Sequence, residues 1–250
     1  MLSDDERSRA QEQNRDTAFA RSADVYDVIY NNKEYCKESA TVIALVDPDQ
    51  LARTWLEVAA GTGRHLECLV GLYELTAIDV SPEMLEIAAK RAPGVHFWCA
   101  DMVSFDLGKR YDVVSCLFGS IAYAENRVRL ESTIASISAH LQPTGRLIIE
   151  PWIFAADYEA GRPHARFVDS YDMKVARMNT NRLEHGCAIL EFHHLVANMD
   201  GVEYFVETHR LGLFELDDYR RAFTHAGLSL EVVRTPTTTY LLGRPLCEES

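Results

Sequence analysis

The middle of the chain alternates apolar runs with helical stretches, and no other feature limits the fold as strongly. Five runs favour β-strands, at residues 54–60, 75–80, 95–100, 111–118 and 145–152. Helical spacing of apolar residues separates them, at residues 63–72, 81–91 and 126–141. Apolar strands separated by helices form a parallel sheet that is covered on both faces through right-handed crossovers. We therefore predict a doubly wound α/β domain with a mostly parallel sheet, whose ligand lies beyond the carboxyl ends of the strands.

The remaining segments flank or interrupt this domain. Residues 1–18 are too polar to pack alone and are predicted to form a mobile charged leader. Residues 19–152 are predicted to form the core, with an aromatic-rich helical lid at its N-terminal end. Residues 153–214 contain two long β-rich runs joined at Asp200-Gly201, a hairpin signature, which predicts an inserted antiparallel cap. Residues 215–250 are predicted to supply the last helix and strands of the core.

The charge balance argues against several classes of partner. Acidic residues number 38 against 25 basic ones, which gives a formal net charge of −13. Such a surface repels phosphate polymers and anionic membranes, so we expect neither nucleic acid nor a membrane as a partner. The sequence has no apolar run near the length of about 18 residues that a membrane span needs. Its first residues are charged where a signal peptide is apolar, so we expect a cytoplasmic protein.

The cysteines and histidines do not predict a metal site. The six cysteines are scattered without a C-x-x-C pair, at positions 36, 68, 99, 116, 187 and 247. In a reducing compartment we expect them to be buried small hydrophobic residues, and neither disulfides nor zinc ligands. His193 and His194 are neighbours in a predicted strand, so their side chains point to opposite faces and cannot share a metal ion.

The segment Leu56–Gly63, with the sequence LEVAAGTG, predicts a strand, a tight turn and the start of a helix. Gly61 and Gly63 allow the backbone to approach a ligand closely. Leu66 stands where a dinucleotide-binding fingerprint has its third glycine, and no Gly-Lys-Ser/Thr follows. The turn therefore supports neither a dinucleotide site nor a P-loop.

Three acids accompany this turn at the ends of successive predicted strands. Glu57 lies four residues before Gly61 and can bind an ammonium group, whereas it would repel a phosphate. Asp79 ends the next strand, the place from which a carboxylate grips a ribose diol. Asp101 follows the third strand and should lie near the same crevice. This combination suits a positively charged nucleoside without phosphates.

These residues resemble, in order, the motif series of class I S-adenosylmethionine-dependent methyltransferases. The resemblance is carried by Glu57-x-Ala59-x-Gly61-x-Gly63, Asp79, Met84, Asp101-Met102 and the turn at residues 141–145. It implies S-adenosylmethionine as cofactor and S-adenosylhomocysteine as product. Gly61 and Gly63 would flank the methionine part, and Asp79 would hold the ribose hydroxyls. Adenine would pack on Met84 and donate its amino group to Asp101. The resemblance also assigns Tyr26, Ala59, Met102 and Cys116 to the cofactor, with Cys116 lining the sulfonium.

A longer resemblance, over residues 23–245, is to N,N-dimethyltransferases that act on nucleotide-linked amino sugars in macrolide antibiotic pathways. It is carried by Val25-Tyr26-Asp27, Lys33-Glu34-Tyr35 and the segments at residues 118–123, 149–152 and 222–228. It implies an acceptor pocket lined by Tyr35, Ser120, Tyr123, Glu150 and Trp152. The expected activity is methyl transfer to a small-molecule amine, and a homodimer is possible.

The chain departs from that group near its end. Where members carry a Ser-Gly-Arg-Gly stretch suited to a nucleotide phosphate, this chain has Thr237-Thr238-Thr239-Tyr240. Five cap residues are candidate substitutes for the missing arginine, namely Arg162, His164, Arg166, Arg177 and Arg182. A diphosphate-sugar acceptor and a different small amine therefore both stay open.

Methyl transfer from sulfur is an in-line displacement, and the attacking amine must be neutral. Tyr123 or Glu150 can accept its proton directly or through water, and correct orientation alone is the alternative. Two other functions also stay open. The first is an O- or C-methyltransferase of another small metabolite, and the second is a non-catalytic cofactor-binding module.

Overall fold

The computed structural model of the protein describes residue 19 and residues 22–246. Its α-helices are α1 (Ala23–Ile29), α2 (Tyr35–Val46), α3 (Arg64–Leu69), α4 (Pro82–Arg91), α5 (Arg127–Ala139) and α6 (Leu216–His225). Its strands are β1 (Thr54–Val58), β2 (Glu74–Asp79), β3 (His96–Cys99), β4 (Tyr111–Cys116), β5 (Leu141–Ile149), β6 (His164–Asp169), β7 (Lys174–Glu184), β8 (Cys187–Asn198), β9 (Gly201–Gly212), β10 (Leu228–Arg234) and β11 (Thr239–Pro245). Short 3₁₀ turns lie at Ser120–Ala124 and Ala155–Asp157. These elements form two compact units.

The larger unit is built on a seven-stranded sheet, and its described residues are 34–158, 185–187 and 211–246. The strand order is β10-β11-β5-β4-β1-β2-β3. Strands β1 to β5 pair in parallel, whereas β11 runs antiparallel to β5 and β10 runs antiparallel to β11. The predicted mostly parallel α/β sheet is confirmed. Its strand order reverses between β1 and β4, which places the expected ligand crevice at the carboxyl ends of these two neighbours.

Alternate residues of the strands build a hydrophobic core on each face of this sheet. On one face, Leu56 and Val114 belong to a core that includes Ile134 of α5 and Phe223 of α6. On the other face, Trp55 and Val113 belong to a core with α2 and α3, through residues that include Val42 and Leu66. Because successive strand side chains point to opposite faces, the continuous apolar runs require helices on both sides.

Local sequence fixes the short connection between β2 and α4. The strand ends at Asp79, and the Ser81 side chain then caps α4 by accepting a hydrogen bond from the Met84 amide at 3.2 Å. Pro82 occupies the first helical position, where its fixed φ suits a helix and its missing N–H costs nothing. Lys90 and Arg91 in the last turn complement the helix dipole. The strand end and the helix start are therefore held two residues apart.

The smaller unit is the cap, and its described residues are 19, 22–33, 159–184 and 188–210. Its sheet has the order β6-β7-β8-β9, and β8 and β9 are joined at the predicted Asp200-Gly201 turn. One face of this sheet, the inner face, packs against α1. Its core consists of Val25, Ile29, Val175, Val196 and Phe205.

The opposite face of the cap sheet, the outer face, leaves apolar side chains exposed. Five of them have fractional exposures between 39% and 69%, and they are Phe167, Met178, Leu195, Tyr204 and Val206. Their positions alternate with the inner-face residues of each strand, so they share one surface. His193 and His194 lie on opposite faces as predicted, since His194 is buried and His193 is partly exposed beside Tyr204.

The two units differ from the predicted boundaries. Residues 22–33 belong to the cap and not to the core, because α1 covers the inner face of the cap sheet. Residues 153–158, 185–187 and 211–214, predicted in the cap, belong to the larger unit. Strands β6 and β7 were not predicted. The predicted leader at residues 1–18 lies outside the described residues. Within the described ranges, no helix is long and apolar enough to cross a membrane.

The prediction for the cysteines was wrong at three positions. Cys36 of α2 and Cys68 of α3 form a disulfide, with their Cα atoms 5.2 Å apart. The packing of α2 against α3 brings these residues together across 32 positions of sequence, which no local pattern indicates. Cys99 is exposed. Cys116 and Cys187 are buried as predicted, and Cys247 lies outside the described residues.

Candidate active site

The backbone is strained at the carboxyl ends of β1 and β4, two neighbouring strands. After β1, Ala59, Gly61 and Gly63 adopt φ values of 58°, 55° and 75°. After β4, Phe118 and Gly119 adopt φ values of 55° and 71°. A positive φ costs free energy at a residue with a side chain, such as Ala59 or Phe118. Such conformations gather at ligand-binding and catalytic sites, and here they mark the predicted crevice.

Asp79 holds the glycine turn in place. Its Oδ2 accepts a hydrogen bond from the Gly61 amide at 2.8 Å, and its Oδ1 accepts one from the Ser81 amide at 2.9 Å. Burial raises the pKa of Asp79, and these backbone donors oppose the rise. Each carboxylate oxygen has two lone pairs, so Asp79 retains acceptor capacity for a diol.

Glu57 is a buried carboxyl group that lacks full compensation. Its side chain is 3% exposed, and its Oε1 lies 3.6 Å from Nδ1 of His65, whose Nε2 lies 3.2 Å from Oε2 of Glu38. Among the described residues, Oε2 of Glu57 has no hydrogen-bond partner. Burial raises the pKa of Glu57 to about 7, and the charge of His65 limits the rise. A carboxyl in this state is suited to a cationic ligand group, which would favour its ionised form.

Glu150, directly after β5, forms hydrogen bonds with two segments that are distant in sequence, the one after β4 and the one before β11. Its Oε2 accepts a hydrogen bond from the Phe118 amide at 2.7 Å, and its Oε1 accepts one from the Thr238 hydroxyl at 3.0 Å. Sequence reasoning missed Thr238, because 88 residues separate it from Glu150. Gly119 is also fixed by packing, since a Cβ there would lie 2.9 Å from the Cα of Trp152. Four of the five predicted acceptor-site residues thus follow β4 or β5, namely Ser120, Tyr123, Glu150 and Trp152.

Cys116, at the end of β4, lies among the carboxylates of three strands. It is fully buried, and burial raises the pKa of its thiol. The negative charges of Glu57, Glu150 and Asp79 raise it further. The structure therefore brings together predicted residues from the ends of β1, β2, β4 and β5 around one thiol that stays protonated.

The remaining predicted cofactor residues differ in their burial, and one of them lies in the cap unit. Met84 is 2% exposed and Met102 is 8% exposed, and Met102 belongs to the core with α5 and α6. Asp101 has a half-exposed side chain, and its Oδ2 lies 3.4 Å from Nη2 of Arg129. Tyr26 lies in the cap unit, where its ring is 4.8 Å from that of Tyr30. Contact of these four residues with a cofactor stays a prediction.

The predicted acceptor residues Tyr35, Ser120 and Tyr123 are all half-buried in the larger unit. Tyr35 begins α2, and its ring meets His65 edge-on at 5.0 Å. It thereby adjoins the Glu57–His65 pair. Ser120 and Tyr123 lie in the 3₁₀ turn that follows Gly119. Their contact with an acceptor stays a prediction.

Taken together, the residues around the glycine turn fit a cationic nucleoside. The buried acid Glu57 and the half-buried acid Asp79 flank a turn in which no atom lies within 4 Å of a Cβ built on Gly61, whereas Gly63 packs directly against Ala88. A cation beside Glu57 would satisfy its orphan oxygen, whereas a phosphate there would meet a buried negative charge. The geometry therefore supports the charge selectivity that the sequence predicted.

Comparisons with known proteins identify relatives over most of the chain. Residues 56–145 match the profile of a family described as a methyltransferase domain. A dTDP-3-amino-3,6-dideoxy-alpha-D-glucopyranose N,N-dimethyltransferase of Streptomyces fradiae is 35% identical over 214 residues, which are 84% of each chain. The crystal structure of Streptomyces venezuelae DesVI superposes with a TM-score of 0.84 at 33% identity, covering 89% of this chain and 98% of that one. The S-adenosylmethionine-bound amino pentose methyltransferase CalS10 of Micromonospora echinaspora has a TM-score of 0.77 at 30% identity, with 88% and 95% covered.

Proposed function

The chain belongs to the S-adenosylmethionine-dependent methyltransferase family that includes the N,N-dimethyltransferases of dTDP-linked amino sugars, and from this premise we propose its acceptor. The acceptor is a nucleotide-linked amino sugar of an antibiotic pathway, and the methyl group goes to its amine. The observation that carries this proposal is 35% identity to an amino-sugar dimethyltransferase over 84% of both chains. The positive φ values after β1 and β4 and the Glu57 Oε2 atom, which is buried without a hydrogen-bond partner among the described residues, support a cofactor site in this crevice.

We assign the cofactor to the crevice at the ends of β1, β2 and β4. When bound, S-adenosylmethionine supplies an electrophilic methyl group on a sulfonium. Glu57 would bind the ammonium group, Gly61 and Gly63 would flank the methionine part, and Asp79 would hold the ribose hydroxyls. Met84 would pack against adenine, and Asp101 would accept a hydrogen bond from its amino group. Cys116 is an uncharged wall beside the sulfonium, because its raised thiol pKa keeps it protonated.

The acceptor side must orient a neutral amine and exclude water. Glu150 fixes the segment after β4 by accepting from the Phe118 amide and the Thr238 hydroxyl, and so positions Ser120 and Tyr123. Tyr123 or Glu150 then accepts the proton that the amine loses, directly or through water. Tyr35 and Trp152 complete the walls of the acceptor pocket in this proposal.

An acceptor panel tests the proposal. The purified chain is incubated with radiolabelled S-adenosylmethionine and dTDP-amino sugars that differ in amine position, and products are identified by mass. The matched controls are the corresponding dTDP-sugars with a hydroxyl in place of the amine. We expect label in the amino sugars alone, with one or two methyl groups added. Transfer to the hydroxyl sugars alone would contradict the N-acceptor. Cofactor binding without transfer to any acceptor would favour a non-catalytic module.

We also propose that the chain acts as a homodimer without nucleic acid or a membrane as a partner, and that it acts in the cytoplasm, where the Cys36–Cys68 disulfide is an exception to the usual reduced state of thiols. The net charge of −13 disfavours polyanionic partners. The exposed apolar residues on the outer face of the cap sheet support self-association.

A further inference from the structure

Two arginines lie side by side on the inner face of the cap. Arg166 of β6 and Arg177 of β7 are direct partners in the antiparallel register. Like charges at directly opposed positions of two strands destabilise a sheet. This pairing therefore needs a compensating negative charge or a function that explains it.

The residues that the structure describes place no carboxylate beside this pair. In the part of the chain that the structure describes, neither Arg166 nor Arg177 lies within ion-pairing distance of a carboxylate. Arg177 donates from Nη1 to the Tyr30 hydroxyl at 3.1 Å, and Arg166 donates from Nη2 to the Asn32 side-chain oxygen at 3.4 Å. Each guanidinium has five N–H donors, so most of them remain available. Two uncompensated arginines are unexpected in a chain with 13 more acidic than basic residues.

Two other arginines of the cap have their positive charge balanced by a neighbouring glutamate. Arg162 pairs with Glu159 at 3.4 Å, and Arg182 pairs with Glu184 at 2.6 Å on the outer face. Of the five cap residues that the sequence offered as substitutes for the missing tail arginine, these two are already neutralised. Arg166 and Arg177 are the pair that retains its charge.

Aromatic rings surround the two guanidinium groups. The ring of Tyr30 contacts both, with its centroid 5.2 Å from the Arg166 guanidinium and 5.4 Å from that of Arg177. The Phe192 ring centroid lies 4.6 Å from the Arg177 guanidinium, and the Tyr26 ring lies 4.8 Å from that of Tyr30 at a tilt of 49°. Cation–π contacts hold the guanidiniums in place and leave their net charge unchanged.

We propose that Arg166 and Arg177 bind the diphosphate of the acceptor nucleotide. The ligand assignment rests on the proposed nucleotide-linked acceptor. The planar guanidinium fork matches two phosphate oxygens at once, and two adjacent forks match a diphosphate. Anion binding also relieves the repulsion between the opposed arginines.

Calorimetric titration with dTDP tests this site. Arg166→Gln and Arg177→Gln should each weaken dTDP binding about tenfold to a hundredfold, because each removes charge-assisted hydrogen bonds. Arg182→Gln is the matched control, since it removes an arginine from the same strand on the opposite face. The control should bind dTDP as the wild type does. All three variants should bind S-adenosylmethionine with wild-type affinity, which shows that they are folded.

A second probe separates this proposal from the proposed function. Inorganic diphosphate should bind the wild type and not the double variant Arg166→Gln/Arg177→Gln. If it does so while no amino-sugar nucleotide is methylated, the anion site stands and the acceptor proposal fails. If a dTDP-amino sugar is methylated with the same KM in the double variant, the acceptor proposal stands and the anion site is overturned. Absence of binding of both probes to the wild type also overturns the site.

Discussion

Glu57 is neutral for about half of the time near pH 7 in the protein without a ligand, because burial raises its pKa to about 7. A cationic group beside it favours the carboxylate and lowers its pKa. Binding of the cofactor ammonium at this position therefore releases a proton from Glu57 when the pH lies below 7. The effect gives a direct signature of the residue that contacts the ammonium group.

The affinity for S-adenosylmethionine should fall up to tenfold per pH unit as the pH drops below 7, because Glu57 must first lose its proton. Above pH 7 this contribution should vanish. Glu57→Gln should bind more weakly at pH 8 and show no such pH dependence. Titrations in buffers of different ionisation enthalpy would detect the released proton. Glu67→Gln, on the exposed side of α3, is the control. Equal proton release from wild type and Glu57→Gln would remove Glu57 from the site.

Asp79 accepts a hydrogen bond from the glycine turn and, in our proposal, also binds the ribose hydroxyls. Asp79→Ala should weaken cofactor binding by about 1–3 kcal/mol, because it removes charge-assisted hydrogen bonds to the ligand and the anchor of the Gly61 amide. Equilibrium binding checks this, with Asp106→Ala, an exposed acid, as the control. Unchanged affinity in Asp79→Ala would refute the assignment.

At the scale of elements, the sequence predicted what local patterns encode. Strands β1, β2 and β4 have apolar side chains on both faces, so their continuous apolar runs predict them. The location of Glu57 and of Asp79 in the fold follows from the position of each acid along its own strand. Strands β6 and β7 have polar residues on both faces, so no alternation marks them. The contacts of Glu150 with Thr238 and of Cys36 with Cys68 join segments far apart in sequence. Such contacts depend on packing that a single sequence does not reveal.

At Gly119 the segment after β4 passes close to Trp152. Gly119→Ala should lower the free energy of unfolding by more than about 1–3 kcal/mol, the usual cost of a strained φ, because its Cβ would also meet Trp152 at 2.9 Å. Turnover should fall with it, since Ser120 and Tyr123 follow directly. Gly71→Ala is the control, with a φ of 84° and no atom within 4 Å of the added Cβ. Chemical denaturation would measure both, and equal losses would contradict the close-packing role of Gly119.

The disulfide joins α2 to α3, the helix that follows the glycine turn. Reduction should lower the free energy of unfolding by about 2–4 kcal/mol, because it frees a loop of 32 residues in the unfolded chain. The double variant Cys36→Ala/Cys68→Ala should have the stability of the reduced protein and should not respond to reductant. Cys99→Ala, which removes an exposed free thiol, should respond as the wild type does. A wild-type denaturation midpoint insensitive to reductant would contradict this account.

At the scale of the molecule, the two units divide the chemistry by charge. The larger unit carries the acids Glu57 and Asp79, which suit a cationic cofactor. The cap carries the uncompensated pair Arg166 and Arg177, which suits an anionic acceptor. The sequence predicted the first set from its positions at strand ends. It offered the second only among five candidates, because the sheet register that pairs these arginines was not predictable.

The outer face of the cap sheet decides the oligomeric state in our proposal. Leu195 is 49% exposed there between His193 and Ala197, and a dimer of the chain would bury it. Sedimentation equilibrium should give twice the mass of one chain for the wild type. Leu195→Glu should give the monomer mass at the same protein concentration, because a second copy would bury two unpaired charges. Leu72→Glu, which replaces an exposed leucine of the larger unit, should leave the dimer intact. A wild type that sediments as a monomer, or a Leu195→Glu variant that stays dimeric, would show that this face is not the interface.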